Sequence, residues 1–370
     1  MMWEFAHGLR SRGHDVRVLT GQAGYLDKNP TADETEMEHH VSRILDLPGS
    51  WRHGRTQGAS DAKKVAARTS SNAQKVLAAA RKFNADLVLT GNLDFLGVQL
   101  VHNTLAAGYP VLHALANARP GYEPAEQPDS PYYWVAPCSN WNGNAYREAG
   151  YRAARVETLY PGARLDRFYR PFLPNAGKLR IAYASLVMPY KGAHVLVSAL
   201  ARLNQAGVDF TAEIAGDTTD PKFVEQLKVA CVTAGMAHKV SFPGFLDRQQ
   251  LGARFARSNV LVFPSQFAEP FGISQVEALA SGLVVVSSGT GGAAEVIRQG
   301  VDGLLFKSDD DASLADRLNR LATQPELFAQ LQQRGQMRAL SFSTDGAVNR
   351  IEVLTEELLA AKTSAVAVAV

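Results

Sequence analysis

The residues best suited to chemistry lie between a predicted buried strand and a predicted helix. Residues 262–278 read VFPSQFAEPFGISQVEA, which is the end of a strand, a polar loop and then a helical pattern. Because Pro270 suits the first position of a helix, we expect the amides of Phe271, Gly272 and Ile273 to have no acceptor within it. Such a helix start can bind an anion, and a glycine there lets a phosphate approach the backbone.

Two carboxylates flank this predicted anion site. Glu269 stands just before the predicted helix, and Glu277 lies two turns inside it, with its Cβ tilted back toward the helix start. Carboxylates on either side of a bound diphosphate can accept hydrogen bonds from sugar hydroxyls. The alternative is a solvated Glu269 and an ordinary helical Glu277, and this segment taken alone does not separate the two interpretations.

The surrounding elements alternate between strand and helix almost throughout the chain. Many predicted strands are short runs of Val, Ile and Leu bounded by Gly, Pro or Asn, which is typical of a parallel sheet buried on both faces. Residues 161–177 are rich in turn formers and separate two such series. We therefore predict two doubly wound α/β units, in which ligands bind beyond the carboxyl ends of the strands.

Length and composition agree with two soluble domains. The chain has 370 residues, of which 46% are hydrophobic and 20% charged, and its net charge is +2. These values argue against disordered and fibrous classes and against a dedicated nucleic-acid binder. Two cysteines cannot form a disulfide framework, and we find no transmembrane segment and no cluster of metal ligands, so we predict a cytoplasmic protein without a metal site.

The segment PSQFAEPFGISQVEALASG (264–282) resembles the Glu-x7-Glu signature of family 4 retaining glycosyltransferases, through Glu269 and Glu277. Further blocks that resemble this family are MPYKG (188–192), EIAGD (213–217), VSFPGFLD (240–247), SSGTGGAAEVI (287–297), LYPGARLDRF (159–168) and RSRGHDVRVLT (10–20). The resemblance implies the GT-B fold, with two Rossmann-like domains facing a cleft. It implies an acceptor-side domain at 1–165, a nucleotide-sugar domain at 166–343, and a C-terminal helix at 344–370 that crosses back and ends in a frayed tail.

The resemblance also implies roles for individual residues. Lys191 would contact the donor diphosphate, and the amides of Phe271, Gly272 and Ile273 would hold the phosphate. Glu277 would bind the ribose, Glu269 the transferred sugar, and Gly291 with Gly292 would line the donor site. The implied catalytic residues are Glu269 and Lys191, the donor is a UDP-sugar in preference to a GDP-sugar, and no cofactor or metal is required.

Two positions depart from the family pattern. Leu186 stands where the family usually has an arginine, so one of two cations for the leaving group is missing. Ala116 stands where the family commonly has a histidine, and His113, the nearest imidazole, is expected to pack within its strand. These departures suggest one alternative to a glycosyltransferase acting on a glycan or lipid-linked acceptor, namely a non-catalytic relative that binds sugar nucleotides. The other alternative is a different reaction of the GT-B fold, carried out by a nucleotide-sugar 2-epimerase.

The N-terminal half carries two further expectations. Segment 52–82 has eight basic residues against a single acid, Asp61. It would suit peripheral contact with the anionic inner face of a membrane, although a solvated helix face is the simpler interpretation. Relatives begin with a strand and a glycine-rich loop, whereas this sequence opens on a helical pattern from Met2 to Arg12. We therefore expect that strand and loop to be missing, either because the start codon is assigned too late or because the domain has lost them.

Overall fold

The computed structural model describes residues 1–21, 32–52, 55–58, 61–175 and 177–368. They form two compact units. Unit 1 is formed by residues 1–52, 56–162 and 344–370, and unit 2 by residues 163–343 with a short piece near residue 55.

In unit 1, two groups of strands pair in parallel. Its strands are β1 (Val18–Gly21), β2 (Val41–Leu45), β3 (Gly49–Arg52), β4 (Arg55–Gly58), β5 (Val88–Thr90), β6 (Val111–Leu115), β7 (Tyr133–Pro137) and β8 (Arg155–Val156). Its first helices are α1 (Met2–Ser11), α2 (Ala32–Glu38), α3 (Ala62–Phe83), α4 (Gln99–Ala106) and α5 (Asn140–Glu148). Strands β5 to β8 pair in sequence order and β1 pairs with β2, all in parallel, and β3 pairs with β4. The β3–β4 pair was not expected from the sequence.

Unit 2 is a doubly wound α/β unit around a parallel sheet. Its elements are α6 (Leu165–Phe168), β9 (Leu179–Ala184), α7 (Ala193–Gln205), β10 (Phe210–Ala215), α8 (Pro221–Thr233), β11 (Val240–Gly244), α9 (Arg248–Phe255), β12 (Val260–Phe263), α10 (Ile273–Ala280), β13 (Val284–Ser287), β14 (Leu304–Leu305), α11 (Asp311–Thr323) and α12 (Pro325–Ala339). The strand order is β11-β10-β9-β12-β13-β14.

The central strands of unit 2 are buried because their sequences are almost wholly apolar. Every residue of β12 and β13 is buried, and both strands pack into one core with helix α7. In the register, Val260 of β12 pairs with Ile181 of β9 on one side and with Val284 of β13 on the other. The loops that follow β9, β12 and β13 therefore leave the same edge of the sheet side by side.

The last helix, α13 (Thr344–Val368), belongs to unit 1. Its buried Ile351, Leu354 and Leu358 share a core with Phe5 of α1. Arg12 at the end of α1 donates a hydrogen bond of 2.7 Å to Glu352. The helix continues through Val368, in a segment whose alanines favour helix.

Candidate functional site

A glycine places Lys191 at the sheet edge of unit 2. Residues Pro189–Lys191 form a single 3₁₀ turn after β9, and Gly192 then begins α7 with φ of 74°. A Cβ on Gly192 would lie 1.9 Å from the carbonyl oxygen of Pro264, at the end of β12. Only glycine therefore permits this close approach, which brings the lysine turn against the loop that follows β12.

Lys191 and Glu269 form a close ion pair at this edge. Lys191 Nζ lies 2.5 Å from Glu269 Oε1, and the side chains are only 14% and 9% exposed. The hydroxyl of Ser265, which is buried, donates a second hydrogen bond of 2.6 Å to the same oxygen. Because both groups are largely shielded from water, a direct contact of either group with a substrate is stronger than the same contact in water.

The glycine loop after β13 is fastened to the backbone of Glu269. The amide of Gly292 donates a hydrogen bond of 2.7 Å to the carbonyl oxygen of Glu269. Gly291 has φ of 64°, and a Cβ there would lie 2.5 Å from the same carbonyl oxygen. The structure thus brings together Lys191, Glu269, Gly291 and Gly292.

Hydroxyl groups that sequence reasoning missed hold the two loops together. Ser288 Oγ donates to the carbonyl oxygen of Ser265 at 2.6 Å, and Thr290 Oγ1 donates to that of Phe267 at 2.7 Å. The available signal was the placement of these hydroxyl residues directly after two neighbouring strands. Their bonds fix the shape of the loop that carries Glu269.

Helix α10 begins later than the sequence suggested. It starts at Ile273 with Gly272 as its N-cap, so the expectation that Pro270 occupies the first helical position is wrong. The cause is the φ of 92° at Gly272. This left-handed backbone conformation cannot belong to an α-helix, so the helix does not extend back to Pro270. The Phe271 side chain is buried, and its ring packs against Phe342 at 5.4 Å between centroids.

Glu277 contacts Arg248, which is not part of the Lys191–Glu269 pair. It is 4% exposed on α10, and its Oε1 lies 3.6 Å from Arg248 Nη1 at the start of α9. Sequence reasoning missed Arg248. The signal was Asp247-Arg248-Gln249-Gln250 after β11, where Asp247 and Gln250 form a capping box that fixes the helix start. Arg248 thus supplies a guanidinium beside the buried carboxylate.

The structure shows what surrounds Leu186 and His113, the imidazole nearest to Ala116. Leu186 lies in the loop after β9, where its carbonyl oxygen accepts a hydrogen bond from the Tyr183 hydroxyl at 2.7 Å. His113 is buried in β6, and its Nδ1 lies 2.8 Å from the Tyr133 hydroxyl. Burial lowers the pKa of His113 to about 3, so the imidazole is neutral near pH 7. His113 therefore packs inside unit 1, as expected from the sequence.

Part of the basic segment 52–82 is used inside unit 1. Arg68 pairs with Asp46 at 3.2 Å, and Lys75 Nζ donates to the carbonyl oxygen of Ile44 at 2.9 Å. Lys63, Arg81 and Lys82 are exposed on α3. Residues 53–54 and 59–60 of this segment lie outside the described residues.

The described residues offer no metal centre and no membrane-spanning helix. Over those residues, no group of three or more His, Cys, Asp and Glu side chains is arranged to hold a metal ion. In the same part of the chain, every helix is too short or too polar to cross a membrane.

Solved structures resemble this chain over almost its whole length. A glycosyltransferase from Rickettsia africae matches with a TM-score of 0.75 at 18% identity, covering 96% of this chain and 93% of that one. HepE from Anabaena, solved with UDP and glucose, matches with a TM-score of 0.71 at 21% identity, covering 96% and 95%. The chain has the GT-B fold. The fold expected from the sequence is thereby confirmed, including its two Rossmann-like units.

Sequence comparisons match part of this GT-B chain to known families and proteins. Residues 167–338 match the family model for glycosyl transferases group 1. A D-inositol 3-phosphate glycosyltransferase from Catenulispora acidiphila is 28% identical over 280 residues, covering 69% of this chain and 66% of the relative. A 2-deoxystreptamine glucosyltransferase from Streptomyces kanamyceticus is 31% identical over 164 residues, covering 44% and 41%. The chain spans about half to two thirds of the length of the first curated relatives it matches.

Proposed function

We propose that the chain is a retaining, metal-independent glycosyltransferase of the hexosyl type. It takes a sugar from a nucleotide-diphosphate donor, with UDP favoured over GDP, and passes it to a saccharide, lipid-linked or small-molecule acceptor in glycan or polysaccharide synthesis at the cytoplasmic side of the membrane. The observation that carries the proposal is the Lys191–Glu269 pair, 2.5 Å apart at the carboxyl ends of the unit 2 strands.

The chemistry follows from the charges at this edge. Departure of a nucleoside diphosphate places negative charge on the leaving oxygen, and the ammonium of Lys191 stabilises it. The helix start at Gly272 and Ile273 offers backbone amides to the phosphate. Glu269 accepts hydrogen bonds from the sugar, and Glu277 from the ribose. In a retaining reaction the acceptor attacks from the face that the diphosphate leaves, and the phosphate helps to deprotonate it, so no enzyme nucleophile is needed.

Relatives support the donor class. The names of the matched curated proteins describe glycosyl transfer, to D-inositol 3-phosphate and to 2-deoxystreptamine among other acceptors. Anabaena HepE was solved with UDP, with UDP and glucose, and with UDP-glucose. The acceptor differs among these relatives, and we leave it open between saccharides, lipid-linked glycans and small molecules.

A non-catalytic role in binding sugar nucleotides is the second candidate. It is favoured by Leu186, because this apolar side chain occupies the position at which the family usually supplies a second cation. A nucleotide-sugar 2-epimerase is the remaining alternative. All three functions require the nucleotide site, and they differ in what happens to the donor.

Calorimetric titration with UDP-, GDP- and ADP-sugars tests the proposal, followed by product analysis. Binding with slow donor hydrolysis, and transfer when an acceptor is present, supports a glycosyltransferase. Conversion of UDP-N-acetylglucosamine to another UDP-sugar would establish the epimerase, and binding without turnover would establish the non-catalytic role. If none of these donors binds, all three functions are wrong.

A matched pair of variants ties the result to the site. Lys191→Ala should lower the rate of donor cleavage because the leaving group loses its cation. Lys222→Ala removes an exposed lysine from α8 of the same unit and should leave the rate unchanged. Equal rates in the two variants would contradict the role of Lys191.

A further inference from the structure

An exposed pair of aromatic rings borders the Lys191–Glu269 pair. Tyr190 and Phe267 are 37% and 43% exposed, and their ring centroids lie 6.2 Å apart at 69°. Neither residue was singled out from the sequence. Together they form what we call the aromatic platform.

The backbone holds the aromatic platform in place. The amides of Gln266 and Phe267 both donate to the carbonyl oxygen of Tyr190, at 2.9 and 3.1 Å. The hydroxyl of Thr290 also donates to the carbonyl oxygen of Phe267 at 2.7 Å. The two rings therefore project from a loop junction that is fixed before any ligand arrives, which lowers the entropic cost of binding.

The aromatic platform lies beside the cation of the candidate site. Lys191 Nζ is 5.5 Å from the ring centroid of Tyr190 and 5.2 Å from that of Phe267. The same nitrogen is paired with Glu269. Whatever binds against the exposed ring surface therefore lies within a few ångströms of the groups that we assign to the donor.

The chemistry of the rings selects the ligand. An aromatic face is apolar and carries negative charge density, so it attracts groups with weakly positive hydrogens. The axial C–H groups on one face of a pyranose ring form such a surface, while its hydroxyl groups project around the edge. An acyclic polyol has no comparable flat face.

We propose that the aromatic platform binds the pyranose ring of a saccharide acceptor by its apolar C–H face. The inference deepens the proposed function and rests on it, since attack from the face that the diphosphate leaves brings the acceptor to the side of Lys191. The donor sugar, by contrast, is assigned to Glu269. The platform therefore favours a cyclic sugar over an acyclic or purely lipid acceptor.

Saturation-transfer NMR tests this assignment. The probes are methyl α- and β-glycosides of glucose, galactose, mannose and N-acetylglucosamine, with glycerol as the acyclic comparison, each with and without UDP. We expect saturation of the ring C–H protons of at least one glycoside by the wild-type protein. Phe267→Ala and Tyr190→Ala should each weaken the affinity for that glycoside about two- to tenfold, the range expected for one lost ring contact. Absence of saturation in every glycoside would overturn the inference, as would equal saturation of glycerol.

A control variant and a second readout separate the possible causes of a loss. Phe172→Ala removes another exposed aromatic ring of unit 2, 87% exposed, and should leave glycoside binding unchanged. UDP affinity, measured by calorimetry, should differ by less than about twofold between Phe267→Ala and wild type. If Phe267→Ala loses UDP and glycoside together, the platform belongs to the nucleotide site and the inference is wrong.

Failure of the inference is distinguishable from failure of the proposed function. A wild-type protein that binds no nucleotide sugar contradicts the proposed function, whatever the glycosides do. A wild-type protein that binds and cleaves UDP-sugars, but whose glycoside contacts survive both ring substitutions, keeps the proposed function and overturns only the acceptor assignment.

Discussion

Lys191 Nζ and Ser265 Oγ meet at one oxygen of Glu269, at 2.5 and 2.6 Å. The ammonium and the hydroxyl come from the loops after β9 and β12, so this single carboxylate oxygen joins two neighbouring strand ends. Because both side chains of the ion pair are largely buried, each depends on the other for compensation of its charge.

Glu269→Gln should destabilise the protein as well as reduce donor cleavage. The substitution leaves the Lys191 ammonium without its counter-charge in a site where it is only 14% exposed, at a cost of about 1–3 kcal/mol. Urea unfolding measures this cost. The double variant Lys191→Met/Glu269→Gln should be more stable than the sum of the single changes predicts. Strict additivity would show that the two groups do not interact in solution.

Glu277→Ala should weaken nucleotide binding by about 1–3 kcal/mol, because a hydrogen bond to a charged acceptor is lost. Calorimetric titration with UDP gives the difference. Glu326→Ala removes an exposed carboxylate from α12 of the same unit and is the matched control. An unchanged affinity for UDP in Glu277→Ala would place the ribose elsewhere.

Gly291→Ala should disrupt the loop that is fastened to Glu269. The added Cβ would lie 2.5 Å from the Glu269 carbonyl oxygen and 2.8 Å from the carbonyl carbon of Ala268, so the backbone has to move. Gly235→Ala is the control, since Gly235 also has positive φ, 67°, but a Cβ there meets nothing within 4 Å. We expect about 1 kcal/mol for the control, from conformational strain alone, and clearly more for Gly291→Ala. Thermal and urea unfolding measure both costs, and equal losses would contradict the close approach.

His113 should make the protein less stable as the pH falls. Burial lowers its pKa to about 3 in the folded protein, whereas the unfolded chain has the ordinary value near 6.5. Below pH 6.5 the unfolded state therefore binds a proton that the folded state excludes, and stability is lost progressively down to about pH 3. From this group alone the loss between pH 7 and pH 5 is roughly 2 kcal/mol.

Two variants isolate that effect. His113→Gln removes the titrating group and should flatten the dependence of unfolding free energy on pH between 7 and 5. His238→Gln removes an exposed histidine and should leave that dependence as in wild type. An identical slope in His113→Gln and wild type would show that His113 does not titrate in this way.

Most strands and helices were predictable because the hydrophobic pattern that indicates them extends over only a few neighbouring residues. Apolar runs such as Val260–Phe263 are typical of buried strands, and the structure has β12 with these bounds. The β3–β4 pair was missed because its residues lack alternating or continuous apolar patterning. The error at Pro270 arose because a glycine conformation two residues later decides where α10 begins.

The candidate site was predictable as residue types but not as contacts. Lys191, Glu269 and Gly291 could be named through the resemblance to family 4 glycosyltransferases, and the sheet order then brings those three loops together. The sequence did not indicate the residues that support the site. They are the hydroxyls of Ser265, Ser288 and Thr290, the guanidinium of Arg248 and the rings of Tyr190 and Phe267. Ser, Thr, Arg and aromatic residues are common in loops, and their partners lie far away in sequence.

The sequence by itself determined the alternation of strands and helices, and hence the doubly wound architecture, because hydrophobic periodicity acts over a few residues. Only the tertiary structure decided that Glu269 shares one oxygen between Lys191 and Ser265, and that Tyr190 and Phe267 stand beside them. Those contacts depend on which strands are neighbours and in what register. Burial of the whole sheet selects that arrangement, and no single segment of the sequence does.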